Sequence, residues 1–279
     1  MKFSKEKEEN IIKMYKEGKT QIEIAKYYNT YNTSIRRVLK RYNILIRGND
    51  KVQRKCKHNP FKRNDEKSDY FLGLLLTDGC ISSNITKNSN SISLALNERD
   101  GYIMEEYRNF ISSNLSISKI YQKINNSYMY QVSFTNTEVE NWLRRKGNFN
   151  NKSYECKIYT PINWNILRGI FDGDGGFHFN SGHLDFFICG KSLVFINQIK
   201  YFLEKNEFKP LLKERVNSLG NSLYYIYIYK IKEVIKLGEL MYNNAHIFLK
   251  RKYEKWLSFY ENKSYKYTLN SGKEMAIQS

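Results

Sequence analysis

The sequence predicts an α+β protein built from two similar halves and preceded by a small helical unit. Three observations support this class. A short apolar motif that ends in Asp-Gly occurs twice, at residues 71–79 and 167–175. The same order of predicted strands and helices follows each copy, and residues 5–46 show helical periodicity instead. A repeat at this spacing indicates a duplicated structural unit.

Residues 1–46 are predicted to form a helix-turn-helix unit that binds DNA. Residues 20–23 read Thr-Gln-Ile-Glu, which is the pattern of a capping box at the start of a helix. A third, basic amphipathic helix follows, with Asn32 or Thr33 as its predicted cap. The open alternative is a three-helix bundle with a solvated basic face. The residues predicted to contact DNA are Ser34, Arg36, Arg37, Lys40 and Arg41.

Residues 47–68 are polar and basic, and they are predicted to be a linker that follows DNA phosphates. Arg54, Lys55 and Arg63 are its expected DNA contacts. The remaining predicted boundaries are 69–160 for the first half, 161–265 for the second half and 266–279 for a C-terminal tail.

Both copies of the motif are predicted to be short apolar helices that end at a glycine, at residues 70–78 and 164–174. Gly73 and Gly169 lie inside these helices, where a missing side chain allows two helices to approach closely. The helices are therefore expected to pack on each other at these glycines.

Packing of the two helices would bring Asp78 and Asp174 side by side. The carboxylates would repel each other, and the helix C-termini carry partial negative charge, so a cation is needed there. Oxygen ligands favour a hard cation such as Mg²⁺, and metal-bound acids suit phosphodiester hydrolysis. The open alternative is a pair of buried core helices that end in Asp-Gly turns.

Each motif is followed by strand, strand, helix, strand, strand and helix. Alternation at 91–96 and at 225–229 supports the strands, and the tyrosines of the second segment are expected to serve packing or strand propensity. The predicted elements are 80–86, 91–98, 101–114, 117–124, 128–135 and 137–146, and then 176–181, 184–189, 191–206, 209–216, 223–229 and 231–242.

The two motifs resemble the LAGLIDADG signature of homing endonucleases, over roughly residues 68–262. The first copy departs from the signature at Leu76, where the family has its earlier acid, and at Thr77. The residues that match are Gly73, Leu74, Asp78 and Gly79 in the first copy, and Leu167, Gly169, Asp172, Asp174 and Gly175 in the second.

The resemblance implies two pseudo-symmetric αββαββα halves, whose saddle-shaped antiparallel sheets place strand side chains in the major groove of DNA. It implies a monomeric, site-specific endonuclease that cuts both strands of DNA with Mg²⁺, for which Mn²⁺ would substitute. The implied metal ligands are Asp78 and Asp174, together with the adjoining Gly79 and Gly175.

The family also has a basic residue near the metal site, after the last helix of each half. Lys152 and Lys252 are at that place, 100 residues apart (252 − 152), and are expected to stabilise charge on the phosphate or to polarise the attacking water. Lys250 and Arg251 compete for this role in the second half. Weaker supporting candidates, at the ends of the two second strands, are Asp100 and Ser192.

Composition agrees with a nucleic-acid partner. The chain has 46 Lys and Arg residues against 28 Asp and Glu residues, a net charge of +18, and double-stranded DNA is the expected polyanion. The alternative is a nuclease-derived binding protein, either an intron RNA maturase or a transcription regulator. With no signal peptide or membrane-length apolar run, we expect no membrane partner and a cytoplasmic, nucleoid-associated or organellar location.

Overall fold

The computed structural model describes residues 3–17, 19–44, 56, 58–84, 89–123, 126–180, 183–218 and 220–261. The chain divides into two compact units, Met1–Val52 and Gln53–Ser279. Each unit has its own hydrophobic core in the described residues. No described helix has the length and apolar character needed to cross a membrane.

The first unit contains three helices, α1 (Lys5–Lys16), α2 (Gln21–Tyr27) and α3 (Asn32–Arg41). The predicted capping box is confirmed, because Thr20 and Glu23 exchange hydrogen bonds at the start of α2. The predicted cap of α3 is wrong. Asn32 is already helical, and the capping position belongs to Tyr31, whose side chain makes no capping hydrogen bond.

The second unit repeats one order of elements, so the predicted fold class is confirmed. The first half comprises α4 (Glu66–Asp78), β1 (Gly79–Asn84), β2 (Ser89–Asn97), α5 (Gly101–Ile111), β3 (Ile117–Gln122), β4 (Ser127–Phe134) and α6 (Thr137–Lys146). After the short α7 (Lys152–Glu155), the second half comprises α8 (Trp164–Asp174), β5 (Gly175–Asn180), β6 (His183–Gly190), α9 (Leu193–Lys205), β7 (Leu211–Val216), β8 (Ser222–Ile228) and α10 (Ile231–Tyr242).

In the described residues, each half forms one four-stranded antiparallel sheet, with strand orders β1-β2-β4-β3 and β5-β6-β8-β7. The registers correspond, since Leu94 pairs with Val132 in the first sheet and Ile188 pairs with Ile226 in the second. All four side chains are buried. Each sheet therefore has one face on the core, and residues one place along each strand lie on the other face.

Helices α4 and α8 cross in close contact at the two predicted glycines. A Cβ atom at Gly73 would lie 2.2 Å from the carbonyl oxygen of Ile166, and one at Gly169 would lie 2.1 Å from the carbonyl oxygen of Tyr70. These distances are far below van der Waals contact, so only glycine allows this approach. The predicted packing of the motif helices is confirmed.

The linker was predicted to end at residue 68, but regular structure of the second unit begins before that residue. A 3₁₀ turn occupies Pro60–Arg63, where the fully buried Phe61 ring stacks on Trp142 with ring centroids 5.0 Å apart. Helix α4 then begins at Glu66. Phe61 lies among mostly polar residues in the sequence, so the local pattern does not predict that its side chain packs in the core. Arg54 and Lys55 lie outside the described residues, as does the predicted tail at 266–279.

One further helix, α11, covers residues 250–261 and was not predicted. It follows α10 after a short connection and packs through Trp256 and Phe259, which are buried. Leu249, Tyr253 and Trp256 have the spacing of one helical face and could have revealed it. This helix matters for the site because it carries Lys252.

Candidate active site

The two motif aspartates lie at the C-terminal ends of the crossing helices α4 and α8. The helix ends are close to each other. A Cβ atom at Gly173 would lie 1.9 Å from Thr77 Oγ1 and 3.1 Å from Oδ2 of Asp78. The carboxylate of Asp78 is thus beside the residue that precedes Asp174, as the sequence predicted.

The two carboxylates are only partly neutralised. Asp78 is exposed at the end of α4, yet the protein around it partly desolvates its carboxylate, and this desolvation, followed by the charge of Asp174, raises the pKa of Asp78 to about 6. Desolvation also raises the pKa of Asp174, which is half-buried. In both cases Lys152 and Lys252 act in the opposite direction. An added cation would relieve the remaining repulsion.

Lys152 and Lys252 hold the ends of the two motif helices. Lys152 Nζ donates to the carbonyl oxygens of Leu75 (3.4 Å), Thr77 and Gly79 (2.5 Å) at the end of α4. An ammonium group has three donors, and here they bond to carbonyl oxygens at the C-terminus of the helix, where Leu75 also accepts from the Gly79 amide.

The same arrangement occurs at the end of α8. Lys252 Nζ donates to the carbonyl oxygens of Phe171 (2.6 Å), Asp172 (2.8 Å) and Gly175 (2.6 Å). Burial lowers the pKa of Lys252 to about 8, and it lowers the pKa of Lys152 as well. The predicted lysines are therefore beside the acids, but they face the helix ends.

The lysines also contact the two glycines that were predicted at the metal site. The carbonyl oxygens of Gly79 and Gly175 accept hydrogen bonds from the ammonium groups of Lys152 and Lys252. Each oxygen keeps a second lone pair, so metal binding by Gly79 and Gly175 stays a prediction. No cluster of three or more His, Cys, Asp or Glu side chains suited to a metal occurs in the described residues. Two carboxylates with hard oxygen donors and incomplete neutralisation still fit a divalent cation such as Mg²⁺.

Asp172, the earlier acid of the second motif, does not belong to the exposed pair. It is fully buried, and its Oδ2 accepts hydrogen bonds from the Tyr70 hydroxyl (2.9 Å) and the Leu249 amide (2.7 Å). Its Oδ1 has no hydrogen-bond partner among the described residues. Asp172 thus links the first motif helix to the turn that precedes Lys252. Only the match to the family signature drew attention to this residue in the sequence.

The remaining candidates make other contacts. Arg251 donates to Asp100 at 3.1 Å, and Lys250 Nζ lies 5.1 Å from the centroid of the Tyr102 ring. Ser192 caps α9 and donates to the carbonyl oxygen of Cys156 at 2.7 Å. Of the three basic candidates in the second half, Lys252 is the one at the end of α8. The hydrogen bonds of Asp100 and Ser192 join separate segments of the fold, so they indicate a structural role for both residues.

The predicted DNA contacts of α3 differ in their surroundings. Arg36, Arg37 and Lys40 are exposed, and Ser34 is half-buried. Arg41 donates to Glu8, whose side chain is only 6% exposed, so Arg41 is tied to the fold of the first unit. In the second unit, the exposed Arg63 lies over the Phe110 ring at 5.9 Å.

Neither a protein-family model nor a curated protein matches the sequence. Similar solved structures exist. The I-LtrWI LAGLIDADG homing endonuclease bound to target DNA is 14% identical, with a TM-score of 0.47 over 75% of this chain and 95% of that chain. The LAGLIDADG meganuclease I-AabMI bound to uncleaved DNA is 14% identical, with a TM-score of 0.48 over 75% of this chain and 93% of that one.

A third similar structure is I-SmaMI bound to an uncleaved DNA target in the presence of calcium ions. It is 12% identical, with a TM-score of 0.47 over 76% of this chain and 94% of that one. These similar structures are LAGLIDADG homing endonucleases, the family that the two motifs resemble. The architecture described above, with two αββαββα halves joined at the motif helices, is the one expected from the resemblance of the two motifs to that family's signature.

Proposed function

We propose that this chain is a site-specific DNA endonuclease that hydrolyses one phosphodiester bond in each strand. The observation that carries the proposal is the pairing of Asp78 and Asp174 at the adjoining ends of two helices that only glycines allow to cross. A protein that merely binds nucleic acid has no use for two partly desolvated carboxylates that repel each other.

Asp78 and Asp174 would hold divalent cations, Mg²⁺ or Mn²⁺, through their carboxylate oxygens. When bound, such a metal activates water and stabilises charge on the phosphate. Lys152 and Lys252 keep the helix ends in register and offset the carboxylate repulsion, which leaves the acids aligned toward solvent. Both acids come from one chain, so a monomer completes the site.

The net charge of +18 supports DNA as the substrate, and the outward faces of the two sheets supply strand side chains that fit the major groove. Helix α3 adds the exposed residues Arg36, Arg37 and Lys40 as phosphate contacts at one flank of the target. The alternative, an RNA maturase or a transcription regulator, would bind nucleic acid through the same surfaces without cutting it.

The test begins with the selection of bound sequences from randomised duplex DNA in EDTA. The selected duplex is then incubated with Mg²⁺, with Mn²⁺ and with EDTA, and both strands are followed on denaturing gels. We expect cuts in both strands with either metal and none in EDTA.

Asp78→Asn and Asp174→Asn are expected to bind the selected duplex with nearly wild-type affinity but not to cut it. Asp69→Asn is the matched control. Asp69 lies on the same helix, nine residues or about 13 Å before Asp78, and accepts a 2.6 Å hydrogen bond from Asn163. The proposal fails if Asp174→Asn still cuts both strands, and the binding-only alternative gains support if the wild-type protein binds but never cuts.

A further inference from the structure

The outward faces of the two sheets are related by the repeat but have different chemistry. Because Leu94–Val132 and Ile188–Ile226 are equivalent pairs, the neighbouring residues on the outer faces also correspond. Gln131 and Ser133 of β4 take the places of Tyr225 and Tyr227 of β8. Ser118 of β3 similarly takes the place of Lys213 of β7, since Ser118 pairs with Gln131 and Lys213 with Tyr225.

The outer face of the second sheet carries an ordered stack of rings. Tyr225, Tyr227 and Tyr229 point to one face of the sheet. Their ring centroids are 5.6 and 5.3 Å apart, and the rings are within 12° and 9° of parallel. The sequence suggested a packing role for these tyrosines, but they are half-exposed on the face away from the core.

Two cations on the neighbouring strand complete this face. Lys213 Nζ lies 5.4 and 5.1 Å from the rings of Tyr227 and Tyr229. The Arg215 guanidinium lies 4.9 Å from the Tyr225 ring and donates to the Tyr227 hydroxyl at 3.3 Å. Both cations are exposed, and the rings restrict their positions before any ligand binds. We call this set of three tyrosines, Lys213 and Arg215 the tyrosine ladder.

The outer face of the first sheet is uncharged, and its hydroxyl and amide side chains lie among the apolar Ala95, Ile120 and Met129. One row across the sheet places Ser93 beside Ser133, and the next places Gln131 beside Ser118. Serine and glutamine both donate and accept hydrogen bonds, which is what direct reading of base edges in the major groove requires.

We propose that the two halves divide DNA recognition between them. The serine and glutamine side chains on the outer face of the first sheet discriminate bases in one half of the target. The tyrosine ladder binds the other half of the target with an affinity that depends little on its base sequence. Its cations contact phosphates, and its rings make van der Waals contacts with bases. This inference rests on the proposed function, and it identifies the target as a duplex whose two halves carry unequal sequence information.

The experiment measures two properties of each variant in EDTA, so that cleavage does not enter. The first is the base preference at each target position, from selection on randomised duplexes. The second is the slope of log affinity against log salt on the wild-type consensus. The variants are Gln131→Ala and Ser133→Ala on the first face, and Lys213→Ala and Arg215→Ala on the second.

We expect Gln131→Ala and Ser133→Ala to change the base preference at one or two positions within one half of the target and to leave the salt slope unchanged. Lys213→Ala and Arg215→Ala should each flatten the slope by about 0.9 and leave every base preference intact. Lys232→Ala is the matched control. It removes the same charge from an exposed position on α10, which packs against the core face of β6, and should change neither property.

Altered base preference in Lys213→Ala or Arg215→Ala, or an unchanged slope in both, would overturn the division of roles. Equal sequence information in the two halves of the wild-type target would do the same. Melting temperatures verify folding, and Lys213→Gln replaces Lys213→Ala if the alanine variant is unstable. Absence of any DNA binding by the wild-type protein would instead refute the proposed function itself.

Discussion

The Nζ atoms of Lys152 and Lys252 take equivalent positions in the two halves, and each donates hydrogen bonds to the last carbonyl oxygens of one motif helix. Each lysine comes from a helix outside the motif, on α7 or α11. The negative ends of α4 and α8 are thus compensated by the half-buried Lys152 and the buried Lys252, which lie beside the two acids.

Replacement of either lysine by methionine should lower both stability and cleavage. Lys252→Met removes three hydrogen bonds to carbonyl oxygens, of which that of Phe171 keeps its bond from the Gly175 amide, and we expect it to cost about 1–3 kcal/mol in the free energy of unfolding. Cleavage should fall more than DNA affinity, because the acids lose one of the positive charges that offset their repulsion. Lys255→Met is the control, since the exposed Lys255 makes a single 2.6 Å bond to the carbonyl oxygen of Phe177. Equal melting temperatures for the two variants would contradict the capping role.

Alanine at Gly73 or Gly169 should already be too large for the helix crossing. The added methyl group would lie 2.2 or 2.1 Å from a backbone oxygen, so the helices must separate, with an expected cost of about 1–3 kcal/mol or more. Thermal unfolding measures the loss, and cleavage should fall with it. Gly190→Ala is the control, because its nearest atom would be 3.4 Å away. A Gly169→Ala variant as stable as Gly190→Ala would show that the crossing adapts.

Stability in the absence of metal should depend on the ionisation of Asp78. Its pKa in the folded state, about 6, lies above the ordinary value of 3.8, so the folded state binds more protons between these values. Stability contributed by the protonated form is therefore lost as the pH rises from about 4 to 6. We expect Asp78→Asn to melt at a higher temperature than the wild type at pH 7, and at a similar temperature at pH 4.

Mg²⁺ should reverse this difference at pH 7. The ion raises the melting temperature of the wild type by binding only to the folded state, whereas Asp78→Asn and Asp174→Asn should respond weakly. Asp69→Asn should respond as the wild type does. An equal Mg²⁺ response in Asp78→Asn and the wild type would place the metal elsewhere.

Asp172 should prove structural although it belongs to the motif. Leu76 is the residue of the first motif that corresponds to Asp172, so Asp172→Leu gives both motifs a leucine there. The substitution leaves the Tyr70 hydroxyl and the Leu249 amide without their acceptor. We expect a loss of about 1–3 kcal/mol for each buried group, seen in thermal unfolding. Asp174→Asn should instead abolish cleavage without loss of stability. Wild-type stability in Asp172→Leu would remove the positioning role.

Deletion of residues 1–52 should leave a folded protein, because the core of the second unit is formed entirely by residues from Cys56 onward. The truncated protein should bind DNA more weakly, with a footprint shortened at one flank and a flatter salt slope. Arg36→Ala in the full chain should reduce the slope alone. Arg41→Ala should instead destabilise the first unit, because the buried Glu8 loses its cationic partner. An unchanged footprint and slope after deletion would assign the unit to a partner other than DNA.

Local signals in the sequence were sufficient for most of the fold. Strand alternation and helical periodicity depend on neighbouring residues, so the predicted elements agree with the structure to within a few residues, as at α6 (Thr137–Lys146) and α10 (Ile231–Tyr242). Repetition of the motif also identified Asp78, Asp174 and the crossing glycines, because each copy supports the interpretation of the other.

Contacts between distant segments required the tertiary structure. The sequence alone determined which acids and lysines are repeated, but a lysine can face a phosphate or a carbonyl group, and only the folded chain shows that Lys252 points to the end of α8. It also shows the buried links of Asp172 and the outward position of the tyrosine ladder. Period-two alternation reveals that two faces exist, and the physical reason that it cannot assign them here is that tyrosine packs well on either face.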